Sequence, residues 1–149
     1  MSDLMNSILT FGEAPAGIIC RKRTAAYAVI TDYEGRFAVV ESTVCGRTAF
    51  WLPGGGAEQG ESANQTVLRE IREELGFESQ IQEKIGEAIQ FFYAGEQLGW
   101  YDMHCTFFRV QLTGAQISEP EHQLIWLASP MPSSFFHACH AWAIAQTVR

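Results

Sequence analysis

Between Pro53 and the helix-forming residues that begin at Ala63, the chain reads "GGGAEQGES", four glycines in nine residues. Such a run cannot be a strand or a helix, because glycine adds backbone entropy and no packing. It separates the short apolar segment "TAFWLP" from a helix whose start and stop are both legible. Ser62 is a good N-cap, and Gln65 three residues on completes a capping box. Gly76 suits the left-handed position beyond the last turn. The spacing predicts a helix over Ala63 to Leu75, reached directly from a glycine loop.

The other elements follow from periodicity. "RTAAYAVITD", Arg23 to Asp32, reads as a strand, "YEGR" as a turn and "FAVVEST" as the second arm of a hairpin. "SQIQEKIGEAIQFFYAG" and "WYDMHCTFFRVQL" are long strand-like segments around "GEQLG", followed by a polar loop through Pro120 and a short strand "QLIWLA". "SSFFHACHAWAIAQTVR" predicts a closing helix that buries Phe135, Cys139, Trp142 and Ile144 or Ala145. The order implies a mixed α/β fold rather than a regular βαβ repeat. At 149 residues residues 1–149 are expected to form one domain, with 1–20 as an N-terminal extension. A chain of this length buries about 68 to 70% of its unfolded surface without disulfides or metals as staples.

Helix 63–75 carries an electrostatic anomaly. On a wheel of about 100° per residue, Val67, Leu68, Ile71 and Leu75 fill one arc, and Glu70, Glu73 and Glu74 fill the arc beside it. Glu70 and Glu74 are like charges at i, i+4, which costs an isolated helix about 0.2 to 0.5 kcal/mol. The helix dipole near the C-terminus disfavours them by about another 0.3 to 1 kcal/mol. Arg69, four residues before Glu73, offsets part of this, whereas Arg72 points to solvent. The remaining imbalance calls for a cation. Clustered carboxylate oxygens select Mg²⁺, or Mn²⁺ in its place, over zinc. The adjoining glycines, Gly54, Gly55 and Gly56, can bring backbone amides and carbonyls close to a phosphate or a metal.

Composition narrows the partners. Seventeen acidic against ten basic residues give a net charge of −7, which repels duplex nucleic acid but not a small anion carried with a divalent cation. No apolar run approaches a membrane span, and "MSDLMNSILTF" has neither a basic leader nor a hydrophobic signal core, so a cytoplasmic location is expected. Cys20, Cys45, Cys105 and Cys139 lack CxxC spacing and read as reduced thiols. "HACH", His137 to His140, has the residue types of a zinc site but no second cluster to complete it; an ordinary amphipathic helix is the simpler reading.

The segment "GGAEQGESANQTVLREIREELGF" from Gly55 to Phe77 resembles the Nudix box. Nine specified positions match it: Gly55, Glu61, Arg69, Glu70, Ile71, Glu73, Glu74, Gly76 and Phe77. The resemblance implies the Nudix fold, a mixed β-sheet sandwiched between helices, and Mg²⁺-dependent hydrolysis of a nucleoside diphosphate linked to another group. By the same resemblance Glu70, Glu73, Glu74 and the Gly55 carbonyl would hold the metal, with Arg69 and Glu61 orienting the glutamates and Gly76 ending the helix. The general base comes from the box helix or from a later loop, where Glu121 is the candidate, with Glu119 and His122 beside it.

Substrate identity lies outside the box. Arg23 is a candidate phosphate ligand or a plain surface charge. Tyr27, Phe50, Tyr93, His104 and Phe108 are candidates to stack on a base or ordinary core residues. Tyr93, sixteen residues beyond Phe77, resembles a tyrosine of dinucleoside polyphosphate hydrolases. The absence of proline between Pro53 and Pro120 departs from the ADP-ribose subgroup, and "LASPMPSS" lacks the acid or amide of oxidised-purine triphosphatases. A nucleoside triphosphate or related small nucleotide is the expected substrate. The alternatives are a dinucleoside polyphosphate or nucleotide sugar, a non-catalytic nucleotide sensor, and an RNA 5′ end. The family resemblance, rather than any residue of the sequence, implies a homodimer.

Overall fold

The structure, a computed structural model, describes residues 8–44 and 46–148; residues 1–7, Cys45 and Arg149 lie outside the described residues. Helix α1 (Ala63–Leu75) has the predicted bounds because its caps are local. Gln65 N–H donates to Ser62 Oγ at 3.2 Å and Ser62 N–H donates to Gln65 Oε1 at 2.9 Å. Gly76, at φ 74°, donates its N–H to Arg72 O at 3.0 Å.

Five strands form the larger sheet: β1 (Leu9–Phe11), β2 (Arg21–Val29), β5 (Gly54–Gly56), β6 (Glu78–Tyr93) and β7 (Trp100–Thr113), in the order β1-β6-β7-β2-β5. β6 and β7 make the predicted long hairpin, while β2 runs parallel to β7 and β1 parallel to β6. Side chains alternate between faces. Ala26, Ala28, Phe108 and Val110 thus pack against Val67, Ile71 and Leu75 of α1. Ala25, Tyr27, Val29 and Phe107 pack on the other side against Cys139, Ala143 and Ile144 of α2 (Ala138–Thr147). The mixed sheet lies between helices, as expected. Residues 9–11 of the N-terminal extension add its edge strand.

Four expectations are corrected. The glycine run, read as neither strand nor helix, begins with the short strand β5, because Gly54–Gly56 pair antiparallel with Ala25–Tyr27 of β2. The hairpin of β2 with β3 (Phe37–Val44) is reduced to one bridge, Thr31 with Phe37. Both edges of β2 are already taken, by β7 along its whole length and by β5 at Ala25–Tyr27. β3 therefore crosses into a second sheet with β4 (Arg47–Trp51) and β8 (Ile125–Leu127), in the order β4-β3-β8. The closing helix begins only at Ala138. Pro132–Ser134 is a single 3₁₀ turn, and Phe135 is extended and bridged to Phe50, so it reaches the core from a strand-like segment. Finally, Ile144 is buried and Ala145 exposed, while Trp142 is half-buried over Gly86, where a Cβ would sit 3.1 Å from its ring.

Among the described residues no helix is long and apolar enough to cross a membrane. Cys20, Cys105 and Cys139 are free thiols.

Candidate functional site

The glycine loop and α1 meet along the acidic arc of the helix. Arg69 organises it. Its Nε and Nη2 donate to the two carboxylate oxygens of Glu61 at 2.7 and 3.0 Å, and Nη2 also donates to Gly56 O at 3.0 Å. Nη1 donates to Glu70 Oε1 and Glu73 Oε2, each at 3.0 Å. This paired fork fixes the guanidinium plane. The hydrogen bond from Arg69 is the main reason that Glu61 is lowered to about 2, with Glu58 N–H and Thr66 Oγ1 also donating to it. Arg72 is exposed on the other side and paired with Glu78 at 2.5 Å.

Glu74 turns inward, only 9% exposed, and accepts the Gly54 N–H at 2.7 Å. Burial pushes its carboxyl up to about 8; the Gly54 hydrogen bond opposes this, and Glu70, Glu121 and Glu73 add to it. Burial also raises Glu70, against Arg69. Two glycines are required here. A Cβ on Gly54, at φ 144°, would lie 2.2 Å from Ala26 O, and one on Gly55 would lie 2.8 Å from Glu70 Cδ.

The loop after β7 closes over the C-terminus of α1. Ile117 N–H donates to Gly76 O at 2.7 Å, Glu121 N–H to Glu73 O at 3.4 Å and His122 N–H to Glu74 O at 3.1 Å. These satisfy carbonyls that a helix end leaves unpaired, and they anchor Glu121 beside the acidic arc. Its charge bears on both Glu70 and Glu74. Glu119 is exposed on the same loop.

A cavity of about 210 Å³ opens beside Glu74, lined by Gly54, Gly55, Arg23, Tyr27 and His122. Gly56 is next to the Arg23 guanidinium, since a Cβ there would sit 3.0 Å from Nη2. The opposite wall is Val40, Ser42, Val44 and Trp51 from the small sheet. Sequence reasoning missed these four, although Trp51 stands in the "WLPGGG" lead-in to the box.

The remaining substrate candidates separate by sheet register. Tyr27 is buried, with its hydroxyl directed to Met103 Sδ at 3.8 Å and its ring against His140 and Phe107, so it forms the cavity floor rather than an open stacking face. His104 pairs with Thr24 in register and projects to the sheet face opposite Arg23, where its Nε2 lies 2.6 Å from Glu87 Oε1. Tyr93 is at the far end of β6 against Trp100, with ring centroids 5.7 Å apart. Phe108 is core beneath α1, and Phe50 packs at the edge of the core on the α2 side.

The acidic set fits a hard divalent cation by its chemistry. Its side-chain donors are all carboxylate oxygens, Gly55 brings backbone against Glu70 where a Cβ could not fit, and the mutual repulsion at Glu74 is what a cation would offset. Arg69 gathers the Glu70 and Glu73 carboxylates to itself, and among the described residues no three His, Cys, Asp or Glu side chains converge as a finished cage. His137 and His140 are both core residues, 3% and 0% exposed.

The family model described as NUDIX domain matches residues 21–130. Among curated proteins none matches the chain. Solved structures with the same fold include a MutT NUDIX hydrolase from Burkholderia pseudomallei, 22% identical with a TM-score of 0.68, covering 86% of this chain and 99% of that one. A MutT protein from Methanosarcina mazei Go1 is 17% identical with a TM-score of 0.63, covering 87% and 96%. An ADP-ribose pyrophosphatase from Streptococcus suis is 16% identical with a TM-score of 0.59, covering 85% and 92%. With the family model spanning 110 of its 149 residues, Glu61, Glu70 and Glu73 gathered around Arg69 and Glu74 lining a cavity, the chain belongs to the Nudix family of hydrolases.

Proposed function

We propose that this chain hydrolyses the diphosphate of a small nucleotide, a nucleoside triphosphate or a close relative, with Mg²⁺ or Mn²⁺ as cofactor. The observation that carries the reading is the junction of two features. Arg69 orders the carboxylates of Glu61, Glu70 and Glu73, and Glu74, from the helix that carries Glu70 and Glu73, lines the cavity that also holds Arg23.

Glu70, Glu73, Glu74 and the Gly55 carbonyl would hold the cation, which when bound supplies Lewis-acid neutralisation of the diphosphate charge. The chain's own residues do the rest. Arg69 keeps the Glu70 and Glu73 carboxylates in one orientation, with Glu61 as its anchor. Arg23 takes a phosphate of the substrate, and the glycine amides admit it without a Cβ in the way. A carboxylate oxygen of Glu121, or of Glu73, accepts the proton of the attacking water. The new P–O bond forms as the bridging oxygen leaves on the other phosphate.

The test is a panel of nucleoside triphosphates, oxidised triphosphates, dinucleoside polyphosphates, nucleotide sugars and ADP-ribose, each with Mg²⁺, with Mn²⁺ and with chelator. Turnover that needs metal and is abolished in Glu73→Gln is expected. Binding without turnover across the panel would instead make the chain a nucleotide sensor, and preference for a 5′-triphosphate RNA would move the substrate to RNA ends.

A further inference from the structure

His140, on the helix remote from the acidic arc, touches the glycine loop from behind. The side chain is fully buried, and its Nδ1 accepts the Leu52 N–H at 3.1 Å. Leu52 is two residues before Gly54. Next along the chain, Pro53 O accepts Ala28 N–H at 2.8 Å, and Gly54 N–H then donates to Glu74 at 2.7 Å. Three consecutive residues are thus held, from α2, from β2 and by α1. Only the first anchor is a side chain that has no part in the sheet or in the acidic set.

The hydrogen bond fixes the tautomer. An amide N–H donating to Nδ1 needs its lone pair, so the ring proton is on Nε2. That N–H has no hydrogen-bond partner and is buried, with the ring packed on Tyr27 at 4.2 Å between centroids and 57° between planes. Tyr27 in turn backs Gly54, where a Cβ would meet its Cδ1 at 2.7 Å. An imidazole with one unsatisfied buried N–H is a costly way to fill core volume, since a buried donor without a partner loses about 1 to 3 kcal/mol. Phenylalanine would fill the same space without that loss. The acceptor at Nδ1 is what the imidazole adds. Burial holds the ring well below its ordinary pKa, so the acceptor persists at neutral pH.

We propose that His140 is a positioning residue for the hydrolytic site: its neutral imidazole sets the Leu52–Pro53–Gly54 turn and, through it, the contact between the Gly54 amide and Glu74. The catalytic part of this proposal rests on the hydrolase reading, whereas the effect on the loop does not.

The test therefore has two arms. His140→Phe removes the acceptor and keeps an aromatic ring; His140→Asn restores an acceptor near the position of Nδ1. In the Phe variant the Leu52 and Gly54 amides should exchange with solvent about tenfold faster, the effect of one lost hydrogen bond. With the best substrate of the panel kcat should fall about 10- to 100-fold with KM nearly unchanged, as for a small displacement of a catalytic group. His140→Asn should recover most of both losses. A Phe variant that melts earlier but keeps wild-type exchange and kcat would overturn the proposal, as would an Asn variant no better than Phe. If the Phe variant does not fold, nitrogen NMR of the wild-type ring decides: an Nδ1-protonated His140, or no coupling from the Leu52 amide to Nδ1, refutes it. A wild-type protein with no turnover sinks the hydrolase reading alone, because amide exchange still judges His140.

Discussion

Gly54 donates its amide to the Glu74 carboxylate at 2.7 Å, and that bond joins the glycine loop to the helix. Glycine is required on the loop side by geometry. At φ 144° a Cβ would lie 2.2 Å from Ala26 O, a backbone atom that cannot swing away. Gly60, at φ 80°, has nothing within 4 Å of its Cβ position.

Gly54→Ala should therefore cost more than Gly60→Ala. The second change adds only left-handed strain, about 1 to 2 kcal/mol. The first adds a backbone clash and displaces the amide from Glu74, so a loss of about 3 kcal/mol or more is expected. Urea unfolding of the two variants measures the difference. Equal losses would mean that the loop yields freely at Gly54.

Glu74 sets a pH dependence with a definite sign. Its folded value, about 8, is above the ordinary 4.5, mainly through burial. The folded state then holds a proton that the unfolded chain releases. The stabilisation is fully present below pH 4.5 and is lost as the pH rises through 8. Glu70, raised for the same first cause, acts in the same direction. Without divalent metal, Glu74→Gln should flatten the stability profile between pH 5 and pH 8, and added Mg²⁺ should stabilise the wild type more at pH 8 than at pH 5. The check is unfolding free energy measured at three pH values with and without metal. A wild type whose metal-free stability rises over that range along with the variant's contradicts the account.

Glu121 is anchored to the end of α1 by its own backbone, while its carboxylate stays free to act. Glu121→Gln should lower kcat about 10²- to 10⁴-fold, the usual range for removing a general base, with little change in melting temperature. Glu119→Gln, exposed on the same loop, should leave kcat alone. Gly76→Ala should damage both rate and stability, because a Cβ there would meet Ser118 O at 2.2 Å and push the loop off the helix. Single-turnover rates and thermal melts separate these effects. A Glu121→Gln enzyme at full rate would move the base to the box helix.

What was legible in the sequence and what was not divides along a physical line. The bounds of α1 and the placing of its glutamates depend on residues within a few positions of one another, so caps and the 3.6-residue period specify them. Strand residues are different. Whether β2 pairs with β3 depended on β5 and β7 having taken both of its edges, and those partners are distant in sequence. In the same way Arg23 and His104 look equivalent in the sequence, yet a pairing register puts them on opposite faces, and one residue of slip would exchange them. Phe135 was misassigned because its burial comes from a bridge to Phe50 rather than from a helical stripe. His140 was visible only as part of "HACH"; nothing local indicated that Leu52 would be its partner.

That register leads to a prediction on substrate recognition. Arg23 lines the cavity next to Gly54, Gly55 and Glu74, and its guanidinium borders Gly56. His104 is engaged with Glu87 across the sheet. If Arg23 holds a substrate phosphate, Arg23→Ala removes a charge-assisted hydrogen bond made in ground and transition states alike. Such bonds contribute about 1.5 to 3 kcal/mol, so KM should rise about 10- to 100-fold with a smaller change in kcat. Arg23→Lys should recover only part of the loss, since an ammonium cannot reproduce a planar fork. His104→Ala should change neither constant. Steady-state kinetics of the three variants, with the substrate that the panel selects, measure the contrast. A His104 variant with raised KM and an Arg23 variant without would place the nucleotide on the α1 side of the sheet instead.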